Sequence, residues 1–508
     1  MVLLVDKLKL RQLLKIPVRY KNPKHHWSVL KKRKTSIDKA LEHFDDFYAT
    51  VYGKVWEDIR AVLLGKSNKY VAVVNNFSDS AKAQSDLELL GAVNLKNVYD
   101  VYKEDIERRK QMKKQNESET ESQKPNKVTD DLVEKAHLAE LEALFPGDHS
   151  KIIDVLKAEG AAKPEAQITD PSEIKLQSIE QELNEVEIDS SRIIEPNVNL
   201  SLLHEYVPAT KIKGLDDWVL ESDQYKFYTK AQDFKVDIVK ESVLSFPEHL
   251  HVYIHEKGNN SRFPNPKIGT TGVRDYYLMD AGSILPVLAL DIQPNDVVLD
   301  MCAAPGGKTL AILQTLLPQV VVANDVSHSR VRRIKDVIQQ FGSDIPELQN
   351  MFVVTEMDAR AIDEKNVYNK ILADVPCTTD RHVLRTDENN IFSPSRIKER
   401  LKIPEIQAEI LSNAFKLVMV GGTVVYSTCT LSPIQNDGVV QVALKKVWEE
   451  TGAVMAVKDM SEALLPLKSV YSFGTVDLKY GHIIIPTVNS NCGPMYFCKI
   501  EKVQDGNV

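Results

Sequence analysis

Apolar strand-like segments alternate with amphipathic helix-like segments from about residue 270 to the C-terminus. Strands are predicted at 297–300, 320–325, 351–354, 370–374 and 423–427, and helices at 307–317, 328–341, 404–420 and about 435–450. Strands and helices that alternate in this way form a mostly parallel sheet covered by helices on both faces. A last apolar run at 493–500 predicts an antiparallel strand. The sequence therefore predicts an α/β, Rossmann-like fold for this half of the chain.

The rest of the 508-residue chain changes composition along its length. We predict a basic targeting segment or arm at 1–36, a folded N-terminal region at 37–105, an acidic and largely flexible insertion at 106–240, and the α/β domain at 241–505. The first segment contains eleven Lys or Arg and one acid, Asp6, which is typical of a mitochondrial targeting peptide or a nucleic-acid-binding arm. The run at 31–34 also fits a nuclear signal. In the N-terminal region a helix is predicted from Ile37 and a strand at 70–77.

The formal net charge of −8 is carried by the insertion. Residues 117–195 contain 20 acidic and 8 basic side chains, so the remainder of the chain is net basic and compatible with RNA binding. Helical stretches are predicted inside the insertion at 132–145 and 175–188. The longest apolar runs are too short to span a bilayer, so no membrane partner is expected. Five cysteines without paired spacing predict no disulfide framework, no metal site and a reducing compartment.

A glycine-rich turn, D-M-C-A-A-P-G-G-K-T at 300–309, joins the first of these strands to the first helix. Gly306 and Gly307 lack a Cβ, so the backbone can turn sharply and let a ligand approach. Ligands of open α/β sheets bind beyond the carboxyl ends of the strands. The turn is neither G-x-G-x-x-G nor a Walker A loop, so it predicts a ligand site without choosing the ligand.

An acidic residue follows each of the next three strands. Asp325 ends the second strand and could accept hydrogen bonds from both ribose hydroxyls of an adenosine. Asp358 follows the third strand and is placed to meet an adenine edge, and Asp374 ends the fourth, near where a methionine amine would lie. Three acids at successive strand ends favour a nucleoside cofactor, with NAD as an alternative.

Two cysteines follow strands of the same sheet. D-V-P-C-T-T-D-R-H places Cys377 after Asp374, and V-V-Y-S-T-C-T-L-S-P places Cys429 after an apolar strand. Carbon 5 of a pyrimidine becomes nucleophilic only when a thiolate adds to carbon 6, and it can then accept a methyl group. Two thiols beside a nucleoside cofactor therefore indicate methyl transfer to that carbon, whereas a single cysteine at a strand end is more often a packing residue.

These three motifs resemble those of the Sun-domain (Nol1/Nop2/Sun) RNA cytosine-5 methyltransferases. The resemblance implies a Rossmann-like class I fold that uses S-adenosylmethionine. It implies that Cys429 attacks the base and that Cys377 assists product release. The residues that it implies for the cofactor are Gly306, Gly307, Lys308, Asp325, Arg330, Asp358 and Asp374. The family often has a glycine after the third-strand acid, where this chain has Ala359.

Other segments resemble one branch of that family, which methylates mitochondrial small-subunit ribosomal RNA. They are V-V-N-N-F, Y-Y-L-M-D-A, P-C-T-T-D-R-H followed by E-N-N-I-F, and G-P-M-Y-F-C-K. The resemblance implies 5-methylcytosine formation in that RNA, the mitochondrial matrix, a ribosome precursor as substrate and a role in ribosome assembly. It also implies a helical-repeat partner of the mitochondrial transcription-termination-factor type. A mitochondrial tRNA methyltransferase of the same chemistry and a non-catalytic assembly factor are the alternatives.

A cytosine inside a base stack cannot present carbon 6 to a thiol, so the target must be single-stranded or flipped out. Candidates for phosphate contacts near the pocket are Arg381, His382 and Arg385. Candidates for stacking on bases, with core packing as the alternative, are Tyr276, Tyr277 and Phe392.

Overall fold

The computed structural model describes residues 34–65, 67–122, 236–342, 346–474 and 478–506. The chain divides into two compact units, Met1–Glu107 with Val219–Val508, and Arg108–Trp218. Of the second unit only residues up to Ser122 are described. The predictions for residues 1–33 and for helices at 132–145 and 175–188 lie outside the described residues, and so does most of the predicted insertion.

The described strands and helices alternate as the sequence predicts. In chain order the strands are β1 (Tyr70–Val74), β2 (Val93–Asn94), β3 (Asp237–Lys240), β4 (Val252–Ile254), β5 (Tyr276–Asp280), β6 (Val297–Asp300), β7 (Val320–Asn324), β8 (Phe352–Thr355), β9 (Tyr368–Asp374), β10 (Val418–Thr428), β11 (Val454–Asp459), β12 (His482–Ile484) and β13 (Met495–Gln504). The helices are α1 (Ser36–Tyr52), α2 (Val55–Leu64), α3 (Ser80–Leu89), α4 (Leu95–Ser122), α5 (Leu285–Ala289), α6 (Gly307–Leu313), α7 (His328–Gly342), α8 (Pro346–Met351), α9 (Asp380–Val383), α10 (Ile397–Leu417) and α11 (Val439–Thr451). No described helix is both long and apolar enough to cross a membrane.

The larger sheet has the strand order β3-β11-β13-β10-β9-β6-β7-β8, with β12 paired to β13. Strands β6 to β10 are parallel, and β13 is antiparallel to β10 as predicted. The strand order reverses between β6 and β9, which is where ligands of such sheets bind. The prediction of a Rossmann-like class I α/β fold is confirmed. The carboxyl ends of five parallel strands therefore lie along one edge.

Both faces of this sheet are buried. Successive residues of β6 belong to different apolar clusters, because Val298 packs in one and Leu299 in the other. Ile371 and Leu372 of β9 divide in the same way. Side chains of a strand alternate between faces, so a strand buried on both sides is a continuous apolar run in the sequence. That burial holds the strand ends, and the polar residues after them, in fixed positions.

The third predicted helix of the α/β domain differs from the structure at both ends. It was predicted at 404–420, but α10 begins at Ile397 and keeps Pro404 inside it. Stacking of the Arg400 guanidinium over Phe392 at 4.5 Å holds the extra first turns against the core. Gly421-Gly422 directly follow the predicted end of the helix, yet both lie within β10, where the register with β9 shifts between Val418 and Thr423. A glycine pair suits a strand irregularity as well as a helix end.

The N-terminal region packs against the α/β domain. Helix α1 begins at a capping box in which the Thr35 hydroxyl accepts from the Asp38 amide at 3.1 Å and the Asp38 carboxylate accepts from the Thr35 amide at 2.8 Å. Its face with Phe44 and Tyr48 is buried in the same apolar cluster as β9 and β10. A small sheet of order β2-β4-β1-β5 joins this region to β5, where Tyr70 pairs with Asp280.

Candidate active site

The turn between β6 and α6 requires glycine at two positions for different reasons. Gly306 has φ +105°, a backbone conformation that costs any residue with a Cβ. At Gly307 a Cβ would lie 2.8 Å from Cε1 of Tyr277, so the ring leaves no room for a side chain. The predicted ligand-binding turn is therefore present with both glycines in demanding positions.

Asp300, at the end of β6, is a buried acid that the sequence reasoning did not count among the site residues. Its Oδ2 accepts from the Thr309 hydroxyl at 2.6 Å, whereas its buried Oδ1 has no hydrogen-bond partner among the described residues. Burial raises the pKa of the Asp300 carboxyl to about 7, and the nearby charge of Asp374 adds to the effect. A buried oxygen without a donor is costly, so this position suits a ligand that brings one.

The acids that follow β7 and β8 lie at the same edge of the sheet. Asp325 is 2% exposed, and its Oδ1 accepts from the Ser327 amide at 3.1 Å. Arg330 reaches within 3.9 Å of the other oxygen of Asp325. Asp358 is held by the Arg360 guanidinium, which keeps the pKa of Asp358 below its usual value. An adenine would therefore meet an acid that already has a protein partner.

Two apolar side chains next to these acids are unusually exposed. Val326, one residue after Asp325, is 62% exposed, and Met357, one residue before Asp358, is 45% exposed. Ligand sites combine apolar surface with a few polar groups, so these side chains beside the acids suit a flat aromatic group with polar edges. Together with the orphaned oxygen of Asp300 and the glycine turn, they fit a nucleoside cofactor that carries an amine.

Lys308 and Asp374 form an ion pair of 2.7 Å between the glycine turn and the end of β9. The Ser427 hydroxyl of β10 donates to the other oxygen of Asp374 at 2.7 Å. Burial lowers the pKa of Lys308, but Asp374 together with Cys429 and Asp300 raises it, so the pKa lies above its ordinary value. Through Asp374 the ion pair thus connects the glycine turn, β9 and β10.

Cys377 and Cys429, which are 52 positions apart in the chain, have their sulfur atoms 3.2 Å apart. Both side chains are partly exposed, and neither is in a disulfide. The hydrogen bond from Cys429 lowers the pKa of Cys377, whereas contact with Cys377 and burial raise the pKa of Cys429. In the ligand-free pair Cys377 therefore loses its proton at a lower pH than Cys429.

An open cavity of about 310 Å³ lies beside the cysteine pair and is lined by Cys429. Its lining residues are Asn68, Asp280, Ser283, Thr379, Arg381, His382, Arg385, Cys429, Gly493, Pro494 and Met495. Cys377 is not among them, although its sulfur touches that of Cys429. Cys429 is therefore the cysteine of the pair that borders this cavity.

The two arginines of this cavity are bound to the protein. Arg381 Nε donates to the Gly493 carbonyl at 2.7 Å, and Arg381 and Arg385 both donate to Oδ1 of Asn68 at 2.9 and 2.6 Å. Burial lowers the pKa of both guanidinium groups. They give the cavity positive charge, but their hydrogen bonds are directed mostly to backbone and to Asn68.

The aromatic residues predicted to stack on bases are in the core instead. Tyr276 and Phe392 are each 5% exposed, and the Tyr276 hydroxyl donates to the Pro264 carbonyl at 2.8 Å. Phe392 packs edge-on against Phe44 of α1. Tyr277 lies against the glycine turn and Phe341. The alternative of core packing is correct for Tyr276 and Phe392.

Sequence reasoning also missed a buried acid, Asp380, beside the two cysteines. It is 0% exposed and accepts hydrogen bonds from four groups, two of them next in sequence to Cys377 and Cys429. Asp380 is part of the P-C-T-T-D motif, but nothing in this motif shows that hydrogen-bond donors to Asp380 come from elsewhere in the chain. A signal was available for Asp300, which ends a buried strand with a charge.

Known proteins resemble this chain over most of its length. The family model described as 16S rRNA methyltransferase RsmB/F matches residues 287–469. The 5-cytosine rRNA methyltransferase nsun-4 of Caenorhabditis elegans is 31% identical over 493 residues, which cover 96% of this chain and 97% of that protein. The 5-cytosine rRNA methyltransferase NSUN4 of Mus musculus is 39% identical over 324 residues, 61% of this chain and 84% of that protein. The mitochondrial tRNA (cytosine(34)-C(5))-methyltransferase of Mus musculus is 32% identical over 260 residues, 51% of this chain and 72% of that protein.

Proposed function

The chain belongs to the Sun-domain (Nol1/Nop2/Sun) family of RNA cytosine-5 methyltransferases, and from that membership we propose that it makes 5-methylcytosine in mitochondrial small-subunit ribosomal RNA. It is an S-adenosylmethionine-dependent methyltransferase. The single observation that supports this chemistry most is the pair of sulfurs 3.2 Å apart, one of which lines an open cavity. A flipped-out base fits a cavity of that size beside a thiol.

In the proposed reaction Cys429 is the nucleophile, because Cys429 lines the cavity and Cys377 is not among the lining residues. The Cys429 thiolate forms a bond to carbon 6 of the cytosine, and electron density moves to carbon 5. S-Adenosylmethionine, when bound, supplies the methyl group that carbon 5 accepts. A general base then takes the carbon 5 proton while the bond between carbon 6 and Cys429 breaks, so that the thiolate leaves and the aromatic ring is restored. Cys377, in contact with Cys429, assists this release.

The residues proposed for the cofactor lie along one edge of the sheet. Asp325 would bind the ribose hydroxyls, with Arg330 beside it, and Asp358 would lie at the adenine edge. Gly306 and Gly307 leave the backbone open to the cofactor. Lys308 and Asp374 lie between this edge and the cysteines, and Asp300 offers its unpaired oxygen to the methionine amine. Asp300 is an addition to the sequence-based set.

The proposed substrate rests on the relatives. The two first relatives are named as 5-cytosine rRNA methyltransferases, and both match most of their own length. We propose small-subunit ribosomal RNA, in a ribosome precursor within the mitochondrial matrix, as the substrate, with a role in ribosome assembly. A mitochondrial tRNA substrate is the second candidate, because a tRNA (cytosine(34)-C(5))-methyltransferase also matches this chain.

We propose that a helical-repeat protein of the mitochondrial transcription-termination-factor type assists RNA capture. The hydrogen bonds of Arg381 and Arg385 support the need for help, because these guanidinium groups are directed mostly to the protein and not to RNA. The largely flexible acidic insertion stays a prediction. We propose that its negative charge repels RNA from every surface other than the one that binds the substrate. The basic segment 1–36 is proposed to direct import.

Bisulfite sequencing of mitochondrial RNA tests the proposed function. Cells depleted of the protein are supplied with the wild-type chain, with Cys429→Ala, or with Cys498→Ala, which removes a buried cysteine outside the pair. We expect a small-subunit rRNA cytosine to lose methylation, and the wild type and Cys498→Ala to restore it while Cys429→Ala does not. Loss at a tRNA cytosine instead would favour the second candidate. Full ribosome assembly with Cys429→Ala would separate assembly from catalysis.

A further inference from the structure

The buried carboxylate of Asp380 connects the two cysteine loops. Its Oδ1 accepts from the hydroxyl of Thr378 at 2.9 Å and from the hydroxyl of Thr430 at 2.8 Å. Thr378 directly follows Cys377, and Thr430 directly follows Cys429. One oxygen atom is thus bound to the neighbour of each sulfur-bearing residue. The two threonine hydroxyls are also 2.9 Å apart, which closes the cluster.

The second oxygen of Asp380 connects the cysteine loops to the N-terminal helix. Oδ2 accepts from the hydroxyl of Tyr48 in α1 at 2.8 Å and from the backbone amide of Leu431 at 2.7 Å. Tyr48 is 1% exposed, so its hydroxyl has no access to solvent as an alternative partner. Tyr52, one turn further along α1, donates to the Leu431 carbonyl at 2.7 Å. Helix α1 therefore holds the loop of Cys429 from behind.

These contacts fit an ionised carboxylate better than a neutral acid. The Leu431 amide and the Tyr48 hydroxyl donate to Oδ2, and at least one threonine hydroxyl donates to Oδ1, so every contact uses an acceptor of Asp380. Burial holds the pKa of Asp380 above its ordinary value, although the four donors around it lower the pKa and so favour the carboxylate. A buried charge with this many donors fixes the positions of all of them.

We propose that Asp380 is a positioning residue of the reaction, which holds the loops of Cys377 and Cys429 at sulfur contact distance and ties both loops to α1 through Tyr48. Its catalytic meaning rests on the proposed function, but its geometric effect on the sulfurs does not. The N-terminal region thereby becomes part of the active site. A displacement of about 1 Å in a reacting group can cost about 100-fold in rate, so a network of this kind has a large effect on the reaction.

The test compares single atoms removed from the network. Thr430→Val replaces the hydroxyl by a methyl group of similar size, and Thr430→Ser keeps the hydroxyl. Tyr48→Phe removes the hydroxyl at Oδ2. Tyr99→Phe is the matched control, because Tyr99 is 2% exposed and its hydroxyl binds the Leu244 amide at 2.9 Å, outside the network. Thermal unfolding of each variant measures its stability separately.

The first readout needs neither RNA nor cofactor. Iodoacetamide alkylation of Cys377 is followed against pH by mass spectrometry of its peptide. The contact with Cys429 lowers the pKa of Cys377, so separation of the loops returns the pKa toward its ordinary value. We expect Tyr48→Phe and Thr430→Val to slow alkylation at pH 7 by about tenfold, with Thr430→Ser and Tyr99→Phe like the wild type.

The second readout is methyl transfer to RNA. We expect kcat to fall about tenfold or more in Tyr48→Phe and Thr430→Val while KM for RNA changes less than about twofold, because binding is not altered. Unchanged alkylation profiles in both variants would overturn the proposal, and so would equal losses in Thr430→Ser and Thr430→Val. A shifted alkylation profile together with a wild-type chain that methylates no RNA would refute the proposed function and leave the positioning role standing.

Discussion

Nζ of Lys308 lies 2.7 Å from Oδ2 of Asp374, and this contact joins the glycine turn to the strand that leads to Cys377. The Ser427 hydroxyl reaches the same carboxylate from the strand that leads to Cys429. The glycine turn and the loops of Cys377 and Cys429 are therefore all connected to the carboxylate of Asp374. The proposed cofactor site and the two sulfurs are coupled through it.

We expect Lys308→Met to reduce methyl transfer by about 100-fold or more, because it removes the positive charge between the proposed cofactor and the cysteines. The same change leaves Asp374 without its cation and is expected to destabilise the fold by about 3 kcal/mol. Fixed-time methylation assays measure the loss of activity, and urea unfolding measures the loss of stability.

Lys416→Met is the matched control for that change. Lys416 pairs with Glu450 at the same 2.7 Å, but at the surface. Its loss is therefore expected to lower the free energy of unfolding by less than about 1 kcal/mol and to leave the activity unchanged. The double variant Lys308→Met/Asp374→Asn should recover stability without activity. Equal behaviour of Lys308→Met and Lys416→Met would refute the role of the buried pair.

Binding of S-adenosylmethionine should depend on pH through Asp300. The pKa of about 7 means that the free carboxyl is largely protonated and neutral below pH 7, and binding of an ammonium group requires the carboxylate. The dissociation constant is therefore expected to rise by up to about tenfold for each pH unit below 7 and to level off above it. Isothermal titration between pH 5.5 and 7.5 measures this slope.

Asp300→Asn should weaken binding and remove the slope. Asp296→Asn serves as the control, because Asp296 is another buried acid with a pKa raised by burial, but it lies at the opposite end of β6. We expect this control to keep the wild-type slope. A slope that survives in Asp300→Asn would assign the proton to a different group.

The two glycines of the turn should respond differently to a change in Tyr277. Gly306→Ala is strained by its φ of +105° and is expected to cost about 1–2 kcal/mol of unfolding free energy whatever residue 277 is. Gly307→Ala instead brings a methyl group against the ring, so Tyr277→Ala should relieve part of its cost. We expect unfolding of the single and double variants to show a coupling free energy of about 1 kcal/mol between residues 307 and 277 and none between residues 306 and 277. Equal coupling in both pairs would contradict this assignment.

The sequence was sufficient where local pattern decides the structure. A buried strand that ends in a charge, followed by glycines and a helix, predicts the turn at 300–309 because each of these preferences acts within a few residues. Strand order could be inferred in part because consecutive parallel strands need helical crossovers. The acids Asp325 and Asp374 follow from the same local signals.

The sequence was insufficient where a contact joins distant segments. Tyr48 and Asp380 are 332 positions apart, and no periodicity relates them. The bonds of Arg381 to Asn68 and Gly493 depend on which side chains the fold brings close. Helix α10 began before Pro404 because packing against Phe392 outweighed the local preference of proline for a first turn.

The central claim is the division of work between Cys429 and Cys377. Removal of Cys377 takes away the main cause of the raised pKa of Cys429, so the remaining thiol can still ionise and attack. Release is then slow, and a covalent RNA–protein adduct should accumulate in Cys377→Ala. Without Cys429 no bond to carbon 6 can form.

The most direct measurement is therefore a denaturing gel of wild type, Cys377→Ala, Cys429→Ala and the double variant after incubation with mitochondrial RNA and S-adenosylmethionine, with sequencing of the attached RNA. The account predicts a strong adduct in Cys377→Ala, joined to small-subunit rRNA, and none in Cys429→Ala or in the double variant. An adduct that persists in Cys429→Ala would contradict it.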